Sequence, residues 1–301
     1  MEINIEKIKS QKDIKELLEF GIINIDKPSG PTSFDVSDFV RKKLQLRKTS
    51  HFGTLDPHVG GVLPIALNRA CKLTGFFLGE DKEYVGLMRI HEEISVKDLQ
   101  EMINKKFLGK IKQLPPVKSR VARVLREREI KSFEILEQSE DKKGFLFKTE
   151  VQGGTYIRKL IHDLGEELKT GAHMLELRRI RAGIFKEHDK KYPSVNLYDF
   201  ENAVNEFAKG NEQPLRKMII PGEIISELYP VVDVKAEIVN KLLHGSPLFK
   251  KDVDVKEEFK VNDKISVFSG GKFIGIYKVV NQNDVFAKPE FVLQPIGIKV
   301  F

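Results

Sequence analysis

Residues 51–64 read His-Phe-Gly-Thr-Leu-Asp-Pro-His-Val-Gly-Gly-Val-Leu-Pro and set a carboxylate, Asp56, three residues after a glycine and directly before a proline. The glycine frees the backbone and the proline fixes it. A residue before proline is pushed out of the α region, so Asp56 is expected on an extended, stiff loop. Gly60 and Gly61 let that loop pass close to another surface, such as a ligand. The plainer reading is that Asp-Pro only starts a turn. Two further residues suit nucleotide chemistry. Tyr84 ends the inward row of an alternating strand over 82–90, either as core or as the flat, polar-tipped partner that a flipped-out base needs. Arg158 falls in the first turn of a helix, where the macrodipole disfavours a cation by roughly 0.3–1 kcal/mol. It either snorkels into water or has an anion nearby that offsets the cost. Lys118, Arg120, Arg123, Arg126 and Arg128 follow a di-proline, interleaved with valines and a leucine, and no acid balances them before Glu127. They read as a solvated basic face or as a phosphate-contacting element.

The loop sequence Gly-Thr-Leu-Asp-Pro, followed by Gly-Val-Leu-Pro, resembles the catalytic loop of the TruB and dyskerin group of pseudouridine synthases. Lys27-Pro28-Ser29-Gly30-Pro31-Thr32-Ser33 is similar to the first motif of that family, and Lys82-Glu83-Tyr84 to its Lys-x-Tyr motif. Gly154-Thr155-Tyr156-Ile157-Arg158-Lys159-Leu160 is similar to the motif that carries its arginine. The resemblance spans nearly the whole chain from about Gly21. At Gly60 the loop departs from its relatives, which usually carry threonine.

The resemblance implies isomerisation of uridine to pseudouridine in RNA, with Asp56, Tyr84, Arg158 and Leu177 as the catalytic set. Asp56 would be nucleophile or electrostatic partner while the glycosidic bond breaks, and Arg158 would pair with it. Tyr84 and Leu177 would hold the flipped base, and His51 would fill the vacated stack. Lys118, Arg120, Arg123 and Arg126 would bind RNA on a thumb element, and Arg178, Arg179 and Arg181 add phosphate-binding potential. Neither cofactor nor metal is expected. Gly171-Ala172-His173-Met174 and the C-terminal β segments resemble the archaeal dyskerin-type members, catalytic subunits of box H/ACA guide-RNA particles that also act on transfer RNA. The implied partners are therefore tRNA, H/ACA guide RNA, rRNA and the small proteins of the particle. A stand-alone TruB-like enzyme and a non-catalytic RNA-binding scaffold are the competing readings.

The elements that must position these residues follow from periodicity. Strands are expected at 22–25, 63–67 and 145–151, and helices at 36–44, 70–78, 95–103, from 155, at 197–207 and at 219–228. From 229 the texture changes to short β segments (231–234, 265–268, 273–280, 291–293) with one helix at 236–243, and Gly270-Gly271 signals a hairpin. The expected class is α+β. It comprises an N-terminal arm (1–20), a catalytic domain with a mixed, mostly antiparallel sheet (21–227) and a small PUA-like β-barrel (228–301), with an OB-like barrel as the alternative.

Composition bounds the rest. With 51 basic and 44 acidic residues the chain carries +7 and has a pI near 9.1, which suits a polyanionic partner without demanding one. Charged residues make up 32%, a hint of a thermophilic source. The single cysteine, Cys71, excludes an internal disulfide and a multi-cysteine zinc site. No apolar run approaches about 18 residues, so a cytoplasmic protein without a membrane span is expected.

Overall fold

The computed structural model describes residues 3–115, 122–253 and 258–295. It divides into two compact units, Leu18–Ile220 and a second built from Met1–Leu17 with Pro221–Phe301. The chain runs through α1 (Ile5–Gln11), α2 (Ile14–Glu19), β1 (Gly21–Lys27), α3 (Ser33–Lys43), β2 (Thr49–His51) and β3 (Gly60–Leu67). Next come α4 (Thr74–Leu78), β4 (Lys82–Ile90), α5 (Val96–Lys106), β5 (Gly109–Gln113), β6 (Arg126–Gln138) and β7 (Gly144–Val151). After these stand α6 (Ile157–Leu168), β8 (Ala172–Ala182), β9 (Phe185–Lys186), β10 (Val195–Asn196), α7 (Leu197–Ala208) and α8 (Gln213–Met218).

In the larger unit one mixed sheet has the order β10-β1-β3-β8-β4-β7-β6-β5, with β2 beside β3 and β9 beside β8. Most neighbours are antiparallel; β1 with β10 and β3 with β8 are parallel. β3 is apolar and wholly buried, and β1 is buried at all but Asp26 although it also carries Asn24 and Lys27, the signature of strands covered on both faces. β4 and β7 instead alternate, each burying every second side chain. α6 turns Ile157, Leu160, Ile161 and Leu164 inward, as its spacing predicts. α3 begins on a capping box, in which the Thr32 hydroxyl accepts from the Asp35 amide and the Asp35 carboxylate accepts from the Thr32 amide.

Several sequence expectations change. The helix expected at 70–78 is a 3-10 segment, Asn68–Leu73, followed by the single turn of α4. The helix expected at 219–228 is the extended β11 (Ile219–Pro221) and a 3-10 segment, Gly222–Glu227, because Pro221 donates no amide hydrogen bond and ends regular structure there. Arg126 and Arg128 stand on β6, whose first residues pair with β5. Residues 1–17 and the segment from Pro221 fall in one compact unit, where Lys12 pairs with the buried Glu223 at 2.5 Å.

In the smaller unit the strands are β12 (Val231–Asp233), β13 (Leu248–Phe249), β14 (Lys264–Ser269), β15 (Lys272–Gln282) and β16 (Val285–Val292), and α9 is Val239–Leu243. Their order is β12-β14-β15-β16-β13, and among the described residues a bridge joins Val234 to Val253 outside the named strands. Gly270 and Gly271, both at positive φ, make the β14–β15 turn as expected. Val232, Leu242, Leu248, Ile265, Val267, Tyr277 and Phe286 are among the core residues. Among the described residues no helix is long and apolar enough to cross a membrane.

β3 and β8 meet at Gly60 opposite Arg178 and Gly61 opposite Arg179. Gly61 has φ of 103°, and a Cβ there would lie 2.2 Å from the Arg179 carbonyl oxygen. At Gly60 a Cβ would meet the Lys27 carbonyl at 3.1 Å, a contact that small shifts relieve. Gly61→Ala is therefore expected to destabilise the protein by roughly 3–5 kcal/mol, and Gly60→Ala by clearly less. Urea unfolding of the two variants measures the difference.

Candidate active site

Asp56 sits on the loop between β2 and β3, and the loop is held from several sides. The Ser33 hydroxyl, at the start of α3, accepts from the Leu55 amide at 2.8 Å and donates to the Leu55 carbonyl at 3.0 Å. The Lys27 ammonium, at the end of β1, donates to the Pro57 carbonyl at 2.9 Å and to that of Pro28 at 2.8 Å. The Gly30 amide donates to Pro57 as well, and the Val59 amide closes a turn on the Asp56 carbonyl. Leu55 and Val59 are buried, and Phe52 stacks on Phe77 with ring centroids 4.6 Å apart. The expectation of a stiff loop is met by this count of fixed backbone groups rather than by Pro57 alone.

Arg158, the second residue of α6, places Nη2 at 2.9 Å from Asp56 Oδ2. The side chains are 60% and 52% exposed, so this is an open pair and not one in a partly dry pocket. In so wet a setting an ion pair contributes at most about 1 kcal/mol. What aims the arginine is the start of its helix. The buried Gln113 side chain accepts from the Tyr156 amide at 3.0 Å and donates to the Tyr156 carbonyl at 3.2 Å, filling the role of a cap that Tyr156 itself lacks.

Tyr84 and Leu177 stand on the inward face of β4 and β8, with 8% and 9% exposure. Tyr84 is opposite Arg179, and Gly86 opposite Leu177, so the tyrosine and leucine are diagonal neighbours. Gly86 makes this possible: a Cβ there would come within 2.9 Å of Leu177 Cδ1. His51, on β2, is partly buried with Nδ1 unpartnered among the described residues. Burial, and then the nearby Arg179 charge, lower its pKa and favour the neutral ring.

Three arginines differ from the phosphate-binding expectation. Arg178 bonds to Asp26 and Glu187, and Arg181 to Glu83 and Glu150. Arg179 is wholly buried: Nε donates to the Val62 carbonyl at 2.8 Å and Nη2 to that of Gly53 at 3.0 Å. Its guanidinium also lies beside the Tyr84 hydroxyl. Such a group is committed to the fold because it has no surface to offer a phosphate. Of the basic stretch, Arg123 is exposed and Arg126 half-buried, whereas Lys118 and Arg120 lie outside the described residues.

Lys82, Gln113 and Arg179 were not singled out from sequence as positioning residues. A signal existed for two of them: Lys82 shares the inward parity of Tyr84, and Arg179 that of Leu177, where a cation is out of place unless it is bonded. Lys82 donates to the carbonyls of Leu78 (2.9 Å) and Glu80, and its Cε lies 3.8 Å from where a Gly53 Cβ would stand. Burial, and then the Arg179 charge, lower its pKa from 10.5 to about 8. Between those two values the unfolded chain holds a proton that the folded chain has lost, so this residue makes stability rise with pH there. Lys82→Met should remove that alkaline gain. Unfolding midpoints of wild type and variant, compared between about pH 7 and pH 10, read it directly.

Comparison with known proteins adds the family to this geometry. Residues 41–157 match the model of the TruB family pseudouridylate synthase N-terminal domain, and residues 158–226 that of the tRNA pseudouridylate synthase B C-terminal domain. Residues 10–37 match the DKCLD domain. A probable tRNA pseudouridine synthase B of Methanococcus maripaludis strain C6 is 40% identical, over 93% of this chain and 83% of its own. One of Methanocaldococcus jannaschii is 42% identical over 81% and 70%. Among solved structures, the crystal structure of a Cbf5-Nop10-Gar1 complex superposes with a TM-score of 0.87 at 34% identity, covering 95% of this chain and 89% of that one. The structure of an H/ACA RNP bound to a substrate RNA containing 2'-deoxyuridine gives 0.85 at 33%, over 95% and 89%. Two matched domain models that abut at Arg158, with relatives at 40% identity along nearly the whole chain, establish that it belongs to the TruB family of pseudouridylate synthases.

Proposed function

We propose that this chain converts uridine to pseudouridine in transfer RNA, at the TΨC-arm uridine, and at guide-directed sites of rRNA as the catalytic subunit of an H/ACA particle. The observation that carries this reading is the Asp56–Arg158 pair, 2.9 Å apart at an open mouth and set on a loop fixed by Ser33, Lys27 and Arg179. Relatives named as tRNA pseudouridine synthases support the first substrate, and the resemblance to Cbf5 in its protein and RNA complexes supports the second. The expected partners are tRNA, guide RNA, rRNA and the small proteins of such a particle.

The chemistry assigned to the residues is as follows. Asp56 acts as nucleophile or electrostatic partner while the N-glycosidic bond breaks; the base turns and rejoins through carbon, with no net redox change. Arg158 holds the Asp56 rotamer. Its pairing is weak in water and strengthens once RNA covers the mouth and lowers the local dielectric. Tyr84 and Leu177 hold the flipped base, and the neutral ring of His51 fills the gap in the stack. Arg123 and Arg126, with Lys118 and Arg120, contact phosphates. The smaller unit, with its curled sheet and glycine hairpin, acts as a PUA-like RNA-binding domain that grips a part of the RNA other than the target uridine.

Asp56→Asn keeps the shape of the side chain and loses its charge. It should lower single-turnover pseudouridine formation on unmodified tRNA by at least 10²-fold and leave RNA affinity within a few-fold. Retention of more than about a hundredth of the rate would exclude a catalytic carboxylate here. Arg158→Lys should fall between wild type and Arg158→Ala, since lysine keeps the charge but not the planar fork. The particle reading has its own measurement with the full chain. Pseudouridine at a guide-specified uridine should appear only when an H/ACA-type guide and its partner proteins are added; robust action on tRNA with no guide-dependent product would favour the stand-alone TruB-like alternative.

A further inference from the structure

Phe34 is 71% exposed, among the most exposed large apolar side chains described. A single exposed phenylalanine is ordinary on a protein surface. Its backbone is not. Phe34 follows Ser33, whose hydroxyl grips both the amide and the carbonyl of Leu55, the residue before Asp56. It precedes Asp35, the other half of the α3 capping box. Its neighbours on both sides are therefore pinned, while its ring touches little but solvent. The helix below is well packed, with Ser33, Val36, Ser37 and Val40 buried. A flat, uncharged ring thus projects from a pinned backbone segment that is bonded to the loop bearing the carboxylate.

Tyr198 offers an instructive contrast. It is 73% exposed and is likewise the second residue of a helix, in Asn196-Leu197-Tyr198-Asp199 against Thr32-Ser33-Phe34-Asp35. The Asn196 cap bonds the Asp199 amide of its own helix. Only the Phe34 segment is shown bonded to Leu55, and this selects Phe34 for the substrate.

We propose that the Phe34 ring is a stacking platform for a nucleobase of the substrate RNA, one that neighbours the uridine presented to Asp56. The inference rests on the pseudouridine synthase reading and adds a substrate contact to it. A nucleobase is the occupant that fits. Stacking needs a flat face and no charge, works with any base, and loses little backbone entropy where the chain beneath the ring is already fixed. Asp35 beside it makes the position unattractive to phosphate, so the contact is to a base face and not to the backbone.

The chain contains no tryptophan, so Phe34→Trp introduces the sole indole emitter. Adding unmodified tRNA should quench that emission, while an otherwise matched Tyr198→Trp reporter responds less. In steady-state assays Phe34→Trp should stay close to wild type. Phe34→Ala and Phe34→Leu should raise KM by about 5- to 150-fold with kcat little changed. Leucine keeps apolar bulk without a flat face, so its loss separates stacking from general hydrophobic contact. Equal thermal melts of all variants exclude misfolding, as expected for a side chain this exposed. A Phe34→Leu enzyme with KM within about two-fold of wild type overturns the proposal. So does tryptophan emission at position 34 that tRNA leaves unchanged while pseudouridine still forms, or that changes only when a protein partner is added. If the wild-type chain makes no pseudouridine, the functional reading fails instead, and quenching by tRNA still reports whether a base meets the ring.

Discussion

The Arg179 guanidinium lies wholly inside the larger unit, bonded to the carbonyls of Gly53 and Val62. These two carbonyls bracket the loop that carries Asp56, one before it and one after. Among the described residues no carboxylate pairs with this charge. Burying a cation so costs several kcal/mol unless its donors find partners, and here two main-chain oxygens and the Tyr84 hydroxyl provide them. The loop can leave neither end without stranding a buried charge, so electrostatics fixes its two ends while the buried Phe52, Leu55 and Val59 pack what lies between. Other features answer to the same constraint. Gly61 has no side chain because the Arg179 carbonyl occupies the space. Tyr84 stands opposite Arg179 across the β4–β8 pair, which ties the base-holding strand to the loop.

Lys27 and Lys82 repeat the pattern on a smaller scale. Each is buried and donates to backbone carbonyls, Lys27 to Pro28 and Pro57, Lys82 to Leu78 and Glu80. For Lys27 burial lowers the pKa, the Asp56 carboxylate opposes that shift, and Arg179 adds to it. Lys27 thus brings an interior cation to the exposed Asp56 carboxylate in addition to Arg158. That added positive charge suits a polyanionic substrate and a developing negative charge near the bond being broken.

Residue spacing made much of this legible. The alternation of β4, the apolar stripe of α6 and the β14–β15 glycine turn could be read from residue order, because each depends on local periodicity; the partnership of Asp56 with Arg158 was implied by the resemblance of two motifs to those of a known family. What could not be read depends on pairing across long stretches of sequence. Arg178, Arg179 and Arg181 look alike in the chain, yet strand parity and register send the middle one into the core and the outer two to Asp26, Glu187, Glu83 and Glu150. Gln113, beside the di-proline, holds the start of α6 across 43 positions of sequence, a pairing that no local pattern announces. Pro221 split an apparently helical run because the apolar spacing at 219–228 also fits extended chain followed by a tight turn.

The junction of β3 with β8 also bears on how the molecule is made. Gly60 and Gly61 meet Arg178 and Arg179 across about 120 intervening residues, among the longest-range pairings in the larger sheet. A ribosome that has delivered β1, α3 and β3 has produced every residue of the Asp56 loop but neither the guanidinium that closes it nor the arginine that faces it. The loop in a nascent chain is therefore unformed, and its chemistry arrives in one late step when β8 docks. A half-made chain carries the aspartate without the means to use it.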